Sequence, residues 1–258
     1  MSFKKDDLLE IQHTHTSWYW GSSRATGAKG YIPKSYISDI PVLSFTKKIS
    51  KGTYNSIWAG IWNGKTSVTI KEESTTTCYT KDILELQHPN IVHIYAVYAE
   101  SYIIMEPISQ GKLSEVLQRE SETFEFHQLI TMSKQIAAGM AYLEEKNCIH
   151  RHLATRNVLV GNNFVCKISN FSAAKIVTRS CNFATYDVDN GTYIFEDREI
   201  ARMAVKWAAP ETMTRRTFST KSDVWSYGVL LSEIVARGSL PYPSMSSEMV
   251  LELSLIHI

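Results

Sequence analysis

Ile149-His150-Arg151-His152-Leu153-Ala154-Thr155-Arg156-Asn157-Val158-Leu159 is the stretch that decides how this chain is read. Directly after it, Val158-Leu159-Val160 and Val165-Cys166-Lys167-Ile168 flank Gly161-Asn162-Asn163, the signature of a hairpin. The second arm of that hairpin runs into Ile168-Ser169-Asn170-Phe171-Ser172. His152 stands between Arg151 and Arg156. An imidazole titrates near pH 6.5 on its own, and two neighbouring cations push that value down, so His152 is expected neutral and formally basic.

Working outward, the period of the apolar residues changes along the chain. Ser56–Trp62, Ser67–Ile70 and Tyr102–Met105 alternate like strands, with a short helix expected over 78–87. From about residue 126, Leu129, Met132, Ile136, Met140 and Leu143 recur at steps of three and four, one face of an amphipathic helix. Residues 221–236 are apolar almost all round, which predicts a buried central helix. A strand-rich portion therefore precedes a helical one. Residues 1–40 form a third region, with strand-like runs at Leu8–Ile11, Trp18–Trp20 and Gly30–Pro33 separated by polar and glycine turns. A linker over 38–44 is too short, at about 3.5 Å per residue, to let the flanking modules lie far apart.

Composition narrows the function classes. The 258 residues are 44% hydrophobic and 21% charged, enough for a sizeable core in one or two domains. A net charge of +1 gives no steering toward nucleic acid or acidic membrane. Cys78, Cys148, Cys166 and Cys181 have no C-x-x-C spacing and read as reduced thiols. No signal-peptide core follows Met1, no membrane-length apolar run exists, and Ser2 removes the myristoylation signal. The cytoplasm is the expected compartment.

Together these stretches resemble a Src-like cytoplasmic protein tyrosine kinase, over nearly everything from Met1 to Leu253. The run around His152 resembles the catalytic loop H-R-D-L-x-x-x-N, and Ile168–Ser172 stands where that family writes D-F-G. Val68-Thr69-Ile70-Lys71 resembles V-A-I-K, and Ile49–Ile57 occupies the glycine-rich loop with Ser50, Gly52 and Asn55 at the three glycine positions. Val205–Glu211 resembles the A-P-E region, and Lys221–Ile234 with Arg237–Pro243 resembles the helix and turn beyond it. Residues 1–36 resemble the later part of a Src-homology-3 barrel, through Met1–Asp7, Trp18-Tyr19-Trp20 and Gly30–Tyr36.

The resemblance implies an α+β, bilobal kinase fold over 41–258, with a strand-rich small lobe and a helical large lobe, preceded by a partial small β-barrel over 1–40. It implies that Gly52, Ile57, Thr69, Lys71, Glu106, Ile108 and Leu159 line a nucleotide site, with Met105 as gatekeeper. His152 takes the place of the catalytic Asp, Arg156 and Asn157 are retained, and Asn157 and Asn170 stand at the magnesium positions. Neutral Asn170 replaces a charged ligand of a hard cation, so ATP and Mg2+ binding are expected weak or lost. A positioned base contributes about 10²–10⁴ in rate, and here base and metal ligand go together. Tyr79 stands where the family places the Glu that pairs with the lysine; Asp82, one turn on, is the alternative partner.

The expected role is therefore that of a pseudokinase that binds or regulates signalling proteins, with proline-rich partners on the Src-homology-3-like part. An active or weakly active kinase using ATP, with His152 as base, is one alternative; a non-functional fragment is another. The first strand of the small barrel and the last helices of the large lobe are expected to be missing, which would expose apolar surface on the helix at 221–236. The segment from Asn170 to Trp207 is about a dozen residues longer than the family norm, and its Tyr186 and Tyr193 are candidate phosphorylation sites.

Overall fold

Three antiparallel strands open the chain: β1 (Leu9–Thr14), β2 (Trp18–Ser23) and β3 (Lys29–Pro33). Their register sets Trp20 opposite Tyr31, with ring centres 4.7 Å apart, edge to face. Such aromatic cross-strand pairs are a main source of sheet stability. The computed structural model describes residues 9–14, 18–23, 27, 29–33, 43–51, 55–73, 80–98, 102–120, 123–177, 184–187, 191–196 and 203–256. Gly52 and Tyr79 lie outside them, as do the first residues of the expected 78–87 helix and most of the expected linker. The chain divides into two units, 1–44 with 61–66, and 45–60 with 67–258.

A five-stranded sheet follows, in the order β4 (Leu43–Lys51), β5 (Asn55–Trp62), β6 (Thr66–Glu73), β8 (Tyr102–Met105), β7 (Ile94–Tyr98). Asn63 and Gly64 close the β5–β6 turn with φ of 54° and 69°, the left-handed pair that a tight hairpin requires. On β6, Val68, Thr69 and Ile70 are all buried, so both faces of the strand are covered. Thr69 pairs with Met105 and Lys71 with Ile103 on β8. Residues two apart share a face, which puts Thr69, Lys71, Ile103 and Met105 together. Helix α1 (Lys81–Leu84) is a single turn, shorter than the expected helix, and Asp82 in it is exposed.

The helical part begins with β9 (Gly111–Lys112) and α2 (Leu113–Arg119) and continues with α3 (Phe126–Glu145). Glu125 and Gln128 form a reciprocal cap that starts α3. Leu129, Met132, Ile136 and Leu143 are buried on its inner face as the spacing predicts, and Met140 packs half-buried at its edge. Strands β10 (Cys148–Ile149), β11 (Val158–Val160), β12 (Cys166–Ile168) and β13 (Lys175–Ile176) carry the decisive stretch. β11 and β12 form the expected hairpin, Val158 opposite Ile168. Val92 and Asn90 bond the backbone of Ile168, tying β12 to the segment after α1. One apolar core runs from Ile83 and Ile103 through Leu117, Ile136 and Ile168 to Leu230 and Ile234.

Beyond it lie β14 (Ala184–Asp187), β15 (Thr192–Glu196), α4 (Pro210–Arg215), β16 (Thr217–Phe218), α5 (Thr220–Val235) and α6 (Ser247–Ile256). The segment with Tyr186 and Tyr193 is a hairpin, β14 to β15, extended by β16. The buried helix expected over 221–236 is α5; it exposes apolar surface on one side, as also expected, and is corrected in the character of its inner face. The buried stripe of α5 carries Asp223, Ser226, Leu230, Glu233 and Ile234, while Val224, Trp225 and Val235 are exposed. Its inner face sets Asp223 and Glu233, which bind the decisive stretch, beside Leu230 and Ile234, which join the main core. No described helix is long and apolar enough to cross a membrane.

Candidate functional site

The stretch from Ile149 to Leu159 is an irregular loop between β10 and β11, held from beneath by two acids of α5. Asp223 accepts the backbone N–H of His150 at 2.7 Å and of Arg151 at 2.9 Å. Glu233 accepts the Thr155 backbone N–H at 3.0 Å, the Thr155 hydroxyl at 2.8 Å and the Trp207 indole N–H at 2.9 Å. A buried carboxylate needs such partners. Burial still pushes Asp223 up to about 7, against the two N–H donors and the Arg151 charge that favour its ionised form. Arg151 adopts φ +64°, an unusual backbone for a long side chain, and the Asp223 bond holds it there.

His150 is fully buried and its Nε2–H donates to the Ser169 carbonyl at 2.9 Å. Its pKa is pushed down to about 4, chiefly by burial. His152 is also pushed down to about 4, by burial first and then by the charges of Arg156, His150 and Lys71. The expected direction for His152 holds, but burial outweighs the neighbouring cations. Arg156 Nη2 donates to His152 Nε2 at 3.0 Å. A guanidinium has no acceptor, so His152 Nε2 must accept and the imidazole carries its proton on Nδ1. The Arg156 guanidinium lies 3.9 Å from the centre of the Trp207 ring, and its own pKa is lowered by burial, with Glu233 opposing.

Asn157 and Asn170 meet across the β11–β12 hairpin. Asn170 sits in the left-handed region at φ 66°, a conformation its short polar side chain tolerates. Its Nδ2 donates to Asn157 Oδ1 at 3.1 Å, and Asn157 Nδ2 donates to the His152 carbonyl at 2.7 Å. Lys71 Nζ donates to Asn170 Oδ1 at 2.9 Å, and the Ser172 hydroxyl donates to the same oxygen at 3.0 Å. Residues 71, 152, 156, 157 and 170 thus form one connected polar chain.

These residues do not fit magnesium. That ion takes oxygen ligands in a strict octahedron and favours carboxylates. Both amide oxygens here accept hydrogen bonds instead, one of them from a cation. Among the described residues no group of three or more His, Cys, Asp or Glu side chains is placed to hold a metal ion.

The remaining candidates surround this chain less directly. Thr69 and Met105 are buried on the Lys71 face of the sheet. Ile57 is half-buried on β5; Ile108 and Leu159 are half-buried against the main core. The Glu106 carboxylate accepts Lys167 Nζ at 2.9 Å and the His93 backbone N–H at 2.8 Å, so it braces β12 and β7. Asp82 is exposed, and Lys71 is brought to Asn170.

Sequence reasoning passed over Asp223, Glu233, Ser169 and Trp207. Two carboxylates about three helical turns apart, the sole acids of their helix, were the available signal. It also passed over the partners of Arg151, whose guanidinium lies 5.4 Å from the Phe195 ring centre and 5.2 Å from that of Phe218, with Nε bonded to the Ala173 carbonyl. Tyr186 is exposed on the same hairpin and stacks edge to face on half-buried Tyr193, centres 5.0 Å apart.

Residues 43–255 match the family described as protein tyrosine and serine/threonine kinase. Over 225 residues the chain is 38% identical to the tyrosine-protein kinase SRK3 of Spongilla lacustris, covering 83% of this chain and 64% of that protein. Over 220 residues it is 38% identical to the tyrosine-protein kinase SRK2 of the same sponge, covering 81% of this chain and 57% of that protein. The chain thus spans less than two thirds of the length of either relative.

Proposed function

Because this chain belongs to the protein tyrosine and serine/threonine kinase family, we propose that it is a catalytically impaired member whose kinase fold serves binding or regulation in signalling. One observation carries the reading: His152 Nε2 accepts a hydrogen bond from Arg156 at 3.0 Å. A general base must offer a lone pair to the proton it takes. The only lone pair of neutral His152 is committed to a cation, and its low pKa makes it a poor proton acceptor. Its Nδ1–H is a donor, which suits binding a substrate oxygen and not deprotonating one.

The Asn157–Asn170 pair supports the same conclusion, because neither oxygen faces a metal with a charge. ATP would lie against Ile57, Thr69, Ile108 and Leu159, with Glu106 in the segment that follows Met105 and Gly52 in the phosphate loop; its affinity is weak. Residues 1–40 are a partial Src-homology-3-like module that holds proline-rich partners only feebly, residues 41–258 are the kinase-like domain, and the working compartment is the cytoplasm.

A second reading is supported by the relatives' names, which are those of kinases. In it the chain transfers phosphate from ATP to protein tyrosine, and His152 acts as base after Arg156 moves aside. Incubation with ATP, magnesium and an acidic tyrosine peptide separates the two. We expect no phosphopeptide. Turnover of about 1–100 s⁻¹, ordinary for kinases, overturns the pseudoenzyme reading.

A further inference from the structure

We infer that the groove between α3 and α5 is a binding site for a small organic cation, a protonated amine whose apolar body is about the size of one ring. The inference goes beyond the reading above, and the groove shares no lining residue with the polar chain of Lys71, His152, Arg156, Asn157 and Asn170.

Shape is the first argument. The groove holds a cavity of about 190 Å³. A cavity of about 150 Å³ is enough for benzene. Its walls include Ala137 and Met140 of α3 and Val224 and Tyr227 of α5, and its most buried lining residues are Cys148 of β10 and Asp223. The Tyr227 hydroxyl donates to the Ser133 carbonyl at 3.0 Å, so its polar end is engaged and its ring is left for a ligand.

Charge selects the ligand within that shape. Among the described lining residues Glu144 and Asp223 are acids and none is basic. Each Asp223 oxygen accepts one backbone N–H, whereas a carboxylate has room for about four donors. Both donors are neutral groups, so a ligand ammonium adds the counter-charge that this buried carboxylate needs. The Cys148 thiol is pushed up to about 12, by burial first and then by the charge of Asp223, so that charge is felt where the cavity is deepest. At the rim, Glu144 accepts the Thr220 hydroxyl at 3.3 Å and Lys221 Nζ at 3.1 Å, both on Oε1, which leaves Oε2 for a second ligand donor. An ammonium is drawn to this site and a carboxylate is repelled. The Tyr227 ring offers the ammonium a π face as well.

The site bears on the loop directly, because the carboxylate that meets the ligand is the one that holds the backbone of His150 and Arg151. Burial raises Asp223 to about 7, so it is mostly neutral near pH 6 and mostly ionised near pH 8, while an alkyl amine stays protonated at both. The other ionisable groups around Asp223 are Cys148 on β10, His150 and Arg151 on the loop, Glu144 on α3, and Lys221 and Tyr227 on α5. Burial keeps Cys148, His150 and Tyr227 neutral over that range. Amine affinity therefore rises with pH.

The test uses the full 258-residue chain and probes of one size, benzylamine, benzyl alcohol and benzoate, titrated near pH 6 and near pH 8 while the amide signals of His150 and Arg151 are followed by NMR. We expect benzylamine to saturate near pH 8 with a Kd of about 1 mM or below, to shift both amides, and to bind severalfold more weakly near pH 6. Benzyl alcohol should bind about tenfold more weakly and benzoate not at all. Ala141→Leu changes an exposed lining residue and leaves the Asp223 bonds alone; it should abolish saturation by narrowing the cavity. No saturation by benzylamine overturns the inference. So does benzyl alcohol or benzoate binding as tightly as the amine, an affinity that does not rise with pH, shifts that spare both amides, or full binding by Ala141→Leu. The ligand series acts on the parent chain, so it decides the matter even if the variant fails to fold.

Discussion

Glu233 shows how much one buried acid holds. It is 2% exposed and receives hydrogen bonds from Thr155 twice and from Trp207 once, with Arg156 nearby. Truncation to Ala leaves those donors without their acceptor and removes the negative charge that faces the half-buried Arg156 guanidinium. Glu233→Ala is expected to cost about 3–5 kcal/mol, seen as a lower urea midpoint, and Glu233→Gln less. The titrating residues make a second expectation. His150 and His152 fall from 6.5 to about 4 on folding, so between those values the unfolded chain binds more protons and stability rises with pH. Asp223 rises from 3.8 to about 7, so the folded chain binds more protons there and stability falls with pH. Two histidines outweigh one acid up to about 6.5, and Asp223 alone acts from there to about 7. Melting temperature should climb from about pH 4 to 6.5 and then dip slightly, and His152→Gln should make the climb shallower. An unchanged slope in that variant shows that His152 titrates at its ordinary value.

Helix α3 lies so close to β12 that one methyl matters. A Cβ on Gly139 would come within 2.8 Å of the Ile168 side chain and 2.9 Å of the Asn90 carbonyl. Backbone cannot yield as a flexible side chain can, so Gly139→Ala should cost about 1–3 kcal/mol by overpacking, read as a drop in melting temperature. The β14–β15 hairpin is held differently, by Phe195 against Arg151 and a small cluster of Ile149, Val177 and Phe218. Phe195→Ala should speed hydrogen exchange at 192–196 and leave α3 unchanged; equal exchange in the parent and the variant would show the hairpin is anchored elsewhere. The contrast explains what was legible. Helix α3 follows a period of three and four that Leu129, Met132, Ile136, Met140 and Leu143 repeat, and those residues lie on or at the edge of its inner face. The hairpin depends on Arg151 and Phe218, far away in sequence, so its tyrosines could be noticed only as hydroxyls. Helix α5 was placed well, yet its polar inner face was missed because partners outside the helix decide which side is buried.

At the scale of the whole chain, order and family were legible, and connectivity was not. The identities of Lys71, His152, Asn157 and Asn170 can be read from motifs. That Lys71 bonds Asn170, 99 residues away, and that His152 is locked by Arg156, follows only from packing. The N-terminal sheet is where aromatic side chains meet across paired strands. Its Trp20–Tyr31 pair accounts for two of its aromatics within the sheet itself. A proline-rich PxxP peptide titrated into the chain while tryptophan fluorescence is followed should give feeble, unsaturated binding. Saturation near a Kd of about 1 μM, lost on Trp18→Ala, would show instead a working adaptor surface.

Asp223 and Glu233 grip the loop by the backbone N–H groups of His150, Arg151 and Thr155, and nowhere by the side chain at position 152. The frame of the loop and its reactive cargo are therefore separate inheritances. A lineage can discard or replace the residue at 152 while the loop keeps its shape, which is how a fold outlives its chemistry. The same separation makes position 152 a socket: a library randomised there should return many folded proteins, each presenting a different group from an unchanged mount.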